Sequence, residues 1–165
     1  MLEFVLDFFY PPTCGFCGKL NKNYICPKCN LNIKKLMKCS KIKYKDKFFD
    51  ELIYLFKYDG IIREMILDYK FNDKPYLYKV LSKLIIKNKK ICGIIEKYDI
   101  IIPVPMHKNK KKNRGYNQTE LIAKELVINI KNIKLERDSL VKKSNTTAQS
   151  LLNRLQRQKK CIRSI

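Results

Sequence analysis

Apolar positions along the chain alternate between helical and strand-like spacing. Leu2, Val5, Leu6 and Phe9 share one helical face, and Pro11 and Pro12 end the run, so a short packing helix is expected at the start. Residues 40–48, SKIKYKDKF, are basic and polar and suit a linker or an exposed strand. After Asp59-Gly60 the period becomes helical, with Ile62, Met65, Ile66 and Tyr69 at i, i+3, i+4 and i+7. Past Pro75 the spacing returns in Leu77, Val80, Leu81, Leu84 and Ile85, which predicts a second amphipathic helix. Residues 98–105, YDIIIPVP, form a continuous β-branched run stopped by proline, the pattern of a strand buried on both faces of a parallel sheet.

Immediately after that strand the chain turns strongly basic. Lys108, Lys110, Lys111, Lys112 and Arg114 crowd the next segment, read as a loop. Asn117 then stands three before Glu120, a capping-box-like pair, ahead of a helix with the stripe Leu121, Ile122, Leu126 and Ile130. Strand, loop and capped helix make the first half of a βαβ unit, whose ligands bind beyond the strand ends beside helix N-termini. Cations there suit a phosphate or pyrophosphate, although the same residues also fit an ordinary lysine-rich surface loop. The chain ends in a polar, basic and then helical stretch.

Length and composition fit one domain plus a small appendage: 165 residues with 45% hydrophobic content can bury a core. No apolar run approaches the roughly 18 residues of a membrane span, and a signal peptide is not expected, because Glu3 and Asp7 interrupt a start that lacks a basic region. A cytoplasmic protein is therefore expected. The net charge is +21, a field that attracts phosphate, whether of nucleic acid or of a small ligand. Most of it is lysine in a chain also rich in Ile and Asn, which equally fits A/T-rich coding.

Four of the seven cysteines form two C-x-x-C pairs, Cys14/Cys17 and Cys26/Cys29, within TCGFCGKLNKNYICPKCN. Each pair brings two thiolates to one turn, and Gly15, Gly18 and Pro27 permit a tight knuckle. Two such knuckles can close a tetrahedral four-sulfur structural Zn2+ site worth on the order of 10 kcal/mol to folding. Two unrelated thiol pairs or a redox pair are the alternatives. Cys39 reads as a packing residue or a remnant.

Together these motifs resemble the ComF family, the competence-associated phosphoribosyltransferase-like proteins that include GntX. The similarity runs from FFYPPTCGFC and CPKC through Tyr58-Asp59-Gly60 and Lys70-Phe71. It continues into Pro103-Val104-Pro105-Met106-His107, Arg114-Gly115-Tyr116-Asn117-Gln118, and then Thr146, Gln149, Leu152 and Arg157. The resemblance implies an α/β fold. A zinc-ribbon-like double-knuckle module (1–45) would precede a partial type I phosphoribosyltransferase, Rossmann-like domain (46–165) that lacks its C-terminal strands. Within that domain a helical cap (58–90) would precede the core strand and loop (98–118).

The resemblance also implies a pyrophosphate loop for phosphoribosyl pyrophosphate at Val104, Pro105, Met106 and His107, with Lys108, Arg114 and Gly115 adjoining. A flap would carry Lys142, Thr146, Gln149 and Arg157, and Mg2+ would accompany the substrate in an active enzyme. Lys142 stands where the family usually has arginine, and a point charge recognises phosphate less well than a planar fork. His107, the single histidine, fits loop structure or phosphate contact better than general acid/base work.

The family's paired acids and Thr/Gly-rich 5-phosphate loop are absent: the adjacent acids Asp50-Glu51 precede Leu-Ile-Tyr-Leu. The expectation is thus a shortened, catalytically impaired family member associated with competence and DNA uptake, with a helicase-like DNA translocase as a candidate partner. Two alternatives stand beside it. One is a zinc-containing module for single-stranded nucleic acid that uses Tyr24, Phe48, Phe49 and Tyr116. The other is a non-functional truncated gene product.

Overall fold

A computed structural model describes residues 11–45 and 48–145 of the chain. The expected N-terminal helix and C-terminal helical stretch lie outside these residues. The order of elements is α1 (Pro27–Leu36), β1 (Ser40–Lys43), β2 (Glu51–Tyr54), α2 (Gly60–Phe71), α3 (Leu77–Ile86), α4 (Lys89–Ile95), β3 (Ile100–Ile101), α5 (Lys108–Arg114), α6 (Gln118–Asn129) and β4 (Lys134–Leu135). The protein is mixed α/β, and its backbone divides into two units, Met1–Lys97 and Tyr98–Ile165. The first unit carries the cysteine pairs and the helices of 58–90; the second carries the segment 98–118.

In the first unit, residues 40–43 form an exposed strand paired antiparallel with β2, from Ser40 opposite Tyr54 to Lys43 opposite Glu51. Lys41 reaches diagonally to Glu51 at 2.6 Å. Both amphipathic helices form as their spacing predicts. Ile62, Met65 and Tyr69 of α2 and Leu77, Val80 and Leu84 of α3 are buried, because each set lies on one helical face. The helix α4 has no comparable periodicity to announce it. Asn88 caps it by accepting from the Ile91 N–H at 3.2 Å, and Ile91 is buried.

In the second unit, β3 and β4 pair in parallel, Ile100 opposite Lys134 and Ile101 opposite Leu135. The run 98–105 is not a strand buried on both faces. Its alternate residues Ile100, Ile102 and Val104 are 52%, 47% and 67% exposed. The ladder is two residues long with one neighbouring strand, so among the described residues nothing covers that face. A second difference concerns residues 108–114, expected as a loop but folded as α5. Lysine and arginine are good helix formers, and Gly115 at φ +82° ends the helix in a left-handed conformation that glycine adopts without strain. In α6 the buried stripe is Ala123 and Leu126, continued by Ile130.

Candidate functional site

The cysteine site is assembled by two backbone devices. Residues 13–20 double back through a Thr13–Leu20 bridge, and Cys14 N–H donates to Lys19 O at 2.7 Å. Gly18 closes the first knuckle at φ +70°, its N–H donating to Cys14 O at 2.9 Å. The second pair sits at the start of α1, where Pro27 takes the first helical turn and Cys26 is the N-cap.

The four Sγ atoms of Cys14, Cys17, Cys26 and Cys29 all lie within 4.8 Å of one another. A tetrahedral zinc with Zn–S near 2.3 Å has sulfurs about 3.8 Å apart. The Cys17–Cys26 separation is 3.7 Å. Backbone donors support the sulfurs, with Cys26 N–H on Cys14 Sγ at 3.4 Å and Cys29 N–H on Cys26 Sγ at 3.5 Å. The cluster therefore fits a structural zinc ion, and four thiolates close its coordination shell.

The thiols differ electrostatically. Burial alone would raise Cys14, but backbone N–H groups of Cys26, Phe16 and Cys17 and the Cys17 thiol bring its pKa down to about 7. Burial and its crowding among the Cys26, Cys17 and Cys14 sulfurs push Cys29 well up. A divalent cation at the centre relieves that crowding by stabilising all four as thiolates.

The first knuckle seats on α3. A Cβ on Gly15 would lie 2.6 Å from Leu77 Cδ2 and 2.9 Å from Val80 Cγ2, so glycine is required by the close approach. Lys79 donates to the Tyr24 hydroxyl at 3.2 Å and lies 5.1 Å from that ring's centre. Lys83 donates to Asn23 O and Oδ1, both at 3.3 Å. Sequence patterning did not reveal this docking face. Its one visible signal was a glycine inside the knuckle, which also has a local explanation.

The second candidate site is the strand end. Val104 projects its side chain outward while its carbonyl oxygen accepts from Asn117 Nδ2 at 3.1 Å and Thr119 Oγ1 at 2.8 Å. Asn117 Oδ1 also caps α6, accepting from Thr119 N–H at 3.2 Å. The two halves of the Pro-Val-Pro-Met-His and Arg-Gly-Tyr-Asn-Gln signature thus meet in one place. Thr119 was not singled out from the sequence.

Pro105 and Met106 are half-buried, and His107 is buried. His107 is the N-cap of α5, with Nδ1 accepting from Asn109 N–H at 3.3 Å. That bond requires an unprotonated Nδ1, so a neutral ring carries its proton on Nε2. Lys108 and Arg114 stand at opposite ends of α5, about 9 Å apart along its axis. Gly115 follows as its C-cap.

Lys111 is engaged by Glu120 at 3.0 Å, and Lys124 joins the same carboxylate at 3.1 Å. Burial alone would raise the Glu120 pKa, but these two ammoniums hold it below the usual range. Lys142 is half-buried in an irregular segment, while Thr146, Gln149 and Arg157 lie outside the described residues. Among the described residues no helix is long and apolar enough to cross a membrane.

No profile of a known protein family matches the chain, and no solved structure matches it. A curated relative does: competence protein F of Haemophilus influenzae is 25% identical over 118 residues. The match covers 70% of this chain and 47% of that protein, so the chain spans about half the length of its relative. The similarity supports the assignment to the ComF family suggested by the motifs.

Proposed function

We propose that this chain is a ComF-like, competence-associated protein in which a zinc module accompanies a phosphoribosyltransferase-like phosphate site. The reading of the phosphate site is carried by the double hydrogen bond onto Val104 O. It draws the Pro-Val-Pro-Met-His segment against the capped start of α6, where a phosphorylated ligand is best received. Val104 to His107 would line the seat, with Lys108 supplying charge and Arg114 a more distant cation. His107 shapes the turn rather than moving protons. The 165 residues hold no Asp-Asp followed by Thr-Thr-Gly, so the proposed role of this stretch is ligand binding, and unaided phosphoribosyl transfer is not expected. Mg2+ would come with the ligand, held mainly by its oxygens and by water.

The test is calorimetry of zinc-loaded protein with phosphoribosyl pyrophosphate and Mg2+. Saturable binding that Lys108→Ala with Arg114→Ala weakens supports the assignment. Undetectable binding, or full affinity in the double variant, removes it.

A second reading, a surface for single-stranded nucleic acid, is favoured by one observation. Phe48 is fully exposed beside the β1–β2 hairpin, and Phe49 packs edge-on against Tyr44 at 5.0 Å, within a lysine-rich segment. Stacking of a base on such a ring contributes about 1–3 kcal/mol. Oligothymidylate affinity should fall steeply from 50 to 200 mM salt and drop further in Phe48→Ala. No binding at the lower salt removes this reading.

A further inference from the structure

The knuckle, the first turn of α1 and the end of α3 enclose a cleft of about 270 Å³ in the first unit. Its walls are Asn21, Asn23, Asn30, Lys83 and Lys87, with Ile25 and Pro27 completing the lining. The polar side chains are three amides and two ammoniums. Among the described residues no carboxylate lines the cleft and none ion-pairs with Lys83 or Lys87.

Lys83 is half-buried, and among the described residues its hydrogen-bond acceptors are the Asn23 carbonyl and amide oxygens, both neutral. Burial, with the Lys87 charge beside it, draws its pKa below the ordinary lysine value, as expected of an ammonium that lacks a counter-charge. An oxyanion in the cleft would supply that charge. Asn21 Oδ1 accepts from Asn23 N–H at 3.0 Å and Asn23 Oδ1 accepts from Lys83, which leaves the amide NH2 groups as neutral donors for such a ligand.

We infer that this cleft is a phosphate-binding site separate from the Val104–His107 seat, taking a phosphate group of a nucleotide or of a nucleic-acid strand. It links the metal module to α3 through its ligand, because Asn21, Asn23 and Asn30 come from the knuckle and α1 while Lys83 and Lys87 come from α3 and its C-cap. The site does not depend on the second unit binding phosphoribosyl pyrophosphate.

The experiment is a nitrogen–proton NMR titration of the full, zinc-loaded chain, following the side-chain amides of Asn21, Asn23 and Asn30. The probes are inorganic phosphate, adenosine monophosphate and oligothymidylate. Saturable shifts at these amides are expected, with apparent affinity weakened about threefold to fivefold in Lys87→Gln. Lys87 is exposed, so that variant should leave the fold intact, and Lys108→Gln in the other unit should leave these shifts unchanged. Saturation by phosphate and the mononucleotide assigns a monoester ligand, whereas saturation by the oligonucleotide alone assigns a strand. Shifts that do not saturate with any probe, or an affinity unchanged in Lys87→Gln, would overturn the inference.

Discussion

Gly15→Ala probes the seating of the metal knuckle on α3. The new methyl carbon would sit 2.6 Å from Leu77 Cδ2 and 2.9 Å from Val80 Cγ2, where carbons in contact prefer about 3.5–4.0 Å. Leu77 and Val80 are both fully buried, at 1% and 0% exposure, and Val80 is β-branched with a stiff rotamer. The neighbours therefore have little room to give, and the knuckle must retreat by roughly 1 Å. Overpacking of this kind costs about 1–3 kcal/mol. Gly15 lies between Cys14 and Cys17, so the same retreat displaces two of the four sulfurs. Urea unfolding of zinc-loaded protein should show a lower midpoint with unchanged slope, and a chelator competition should show weaker zinc retention. Stability within about 0.3 kcal/mol of the parent, with zinc affinity intact, would refute the docked arrangement.

Other single contacts carry their own consequences. Asn117→Ala removes the α6 cap and one of the two donors to Val104 O, and should cost about 1–2 kcal/mol in urea unfolding; Asn117→Asp keeps the cap but turns an acceptor oxygen toward Val104 O, so it should not restore the parent's stability. The Lys74 ammonium, then the Asn72 amide, hold the Asp68 pKa below its ordinary value. Its contribution is therefore present above the unfolded carboxylate pKa and disappears as pH falls through the folded value. Both side chains of this pair are partly exposed, so Asp68→Asn should cost only about 0.2–1 kcal/mol at pH 7, and urea midpoints should converge with the parent as pH falls below the ordinary aspartate range. Among the described residues Ser82 Oγ is buried without a hydrogen-bond partner, so Ser82→Ala should be neutral or stabilising in thermal melts.

How legible the protein was depended on whether a feature is local. The stripes of α2 and α3 could be read because burial of one helical face imposes its period directly on the sequence. The four cysteines could be read because tetrahedral thiolate coordination needs two tight pairs. Asn117 could be read as a cap because a side-chain acceptor at a helix start satisfies free backbone donors. Features set by distant partners were hidden. Whether Ile100, Ile102 and Val104 are covered depends on which strands and helices lie alongside, and the apolar run itself carries no record of them. Residues 108–114 look like a loop by charge, yet Gly115 and the Lys111–Glu120 pair favour a helix. Thr119 and Gly15 do their work through Val104, Leu77 and Val80, far away in sequence.

The four-cysteine cluster of the first unit fits a single metal ion, and cobalt(II) titration of the reduced, metal-free chain, followed by optical absorption, tests that fit most directly. One equivalent should give the intense d–d and thiolate charge-transfer bands of a tetrahedral four-sulfur site, displaced stoichiometrically by zinc and diminished by Cys29→Ser. Weak octahedral bands, or no saturation at one equivalent, would contradict the convergence of Cys14, Cys17, Cys26 and Cys29 on a single ion.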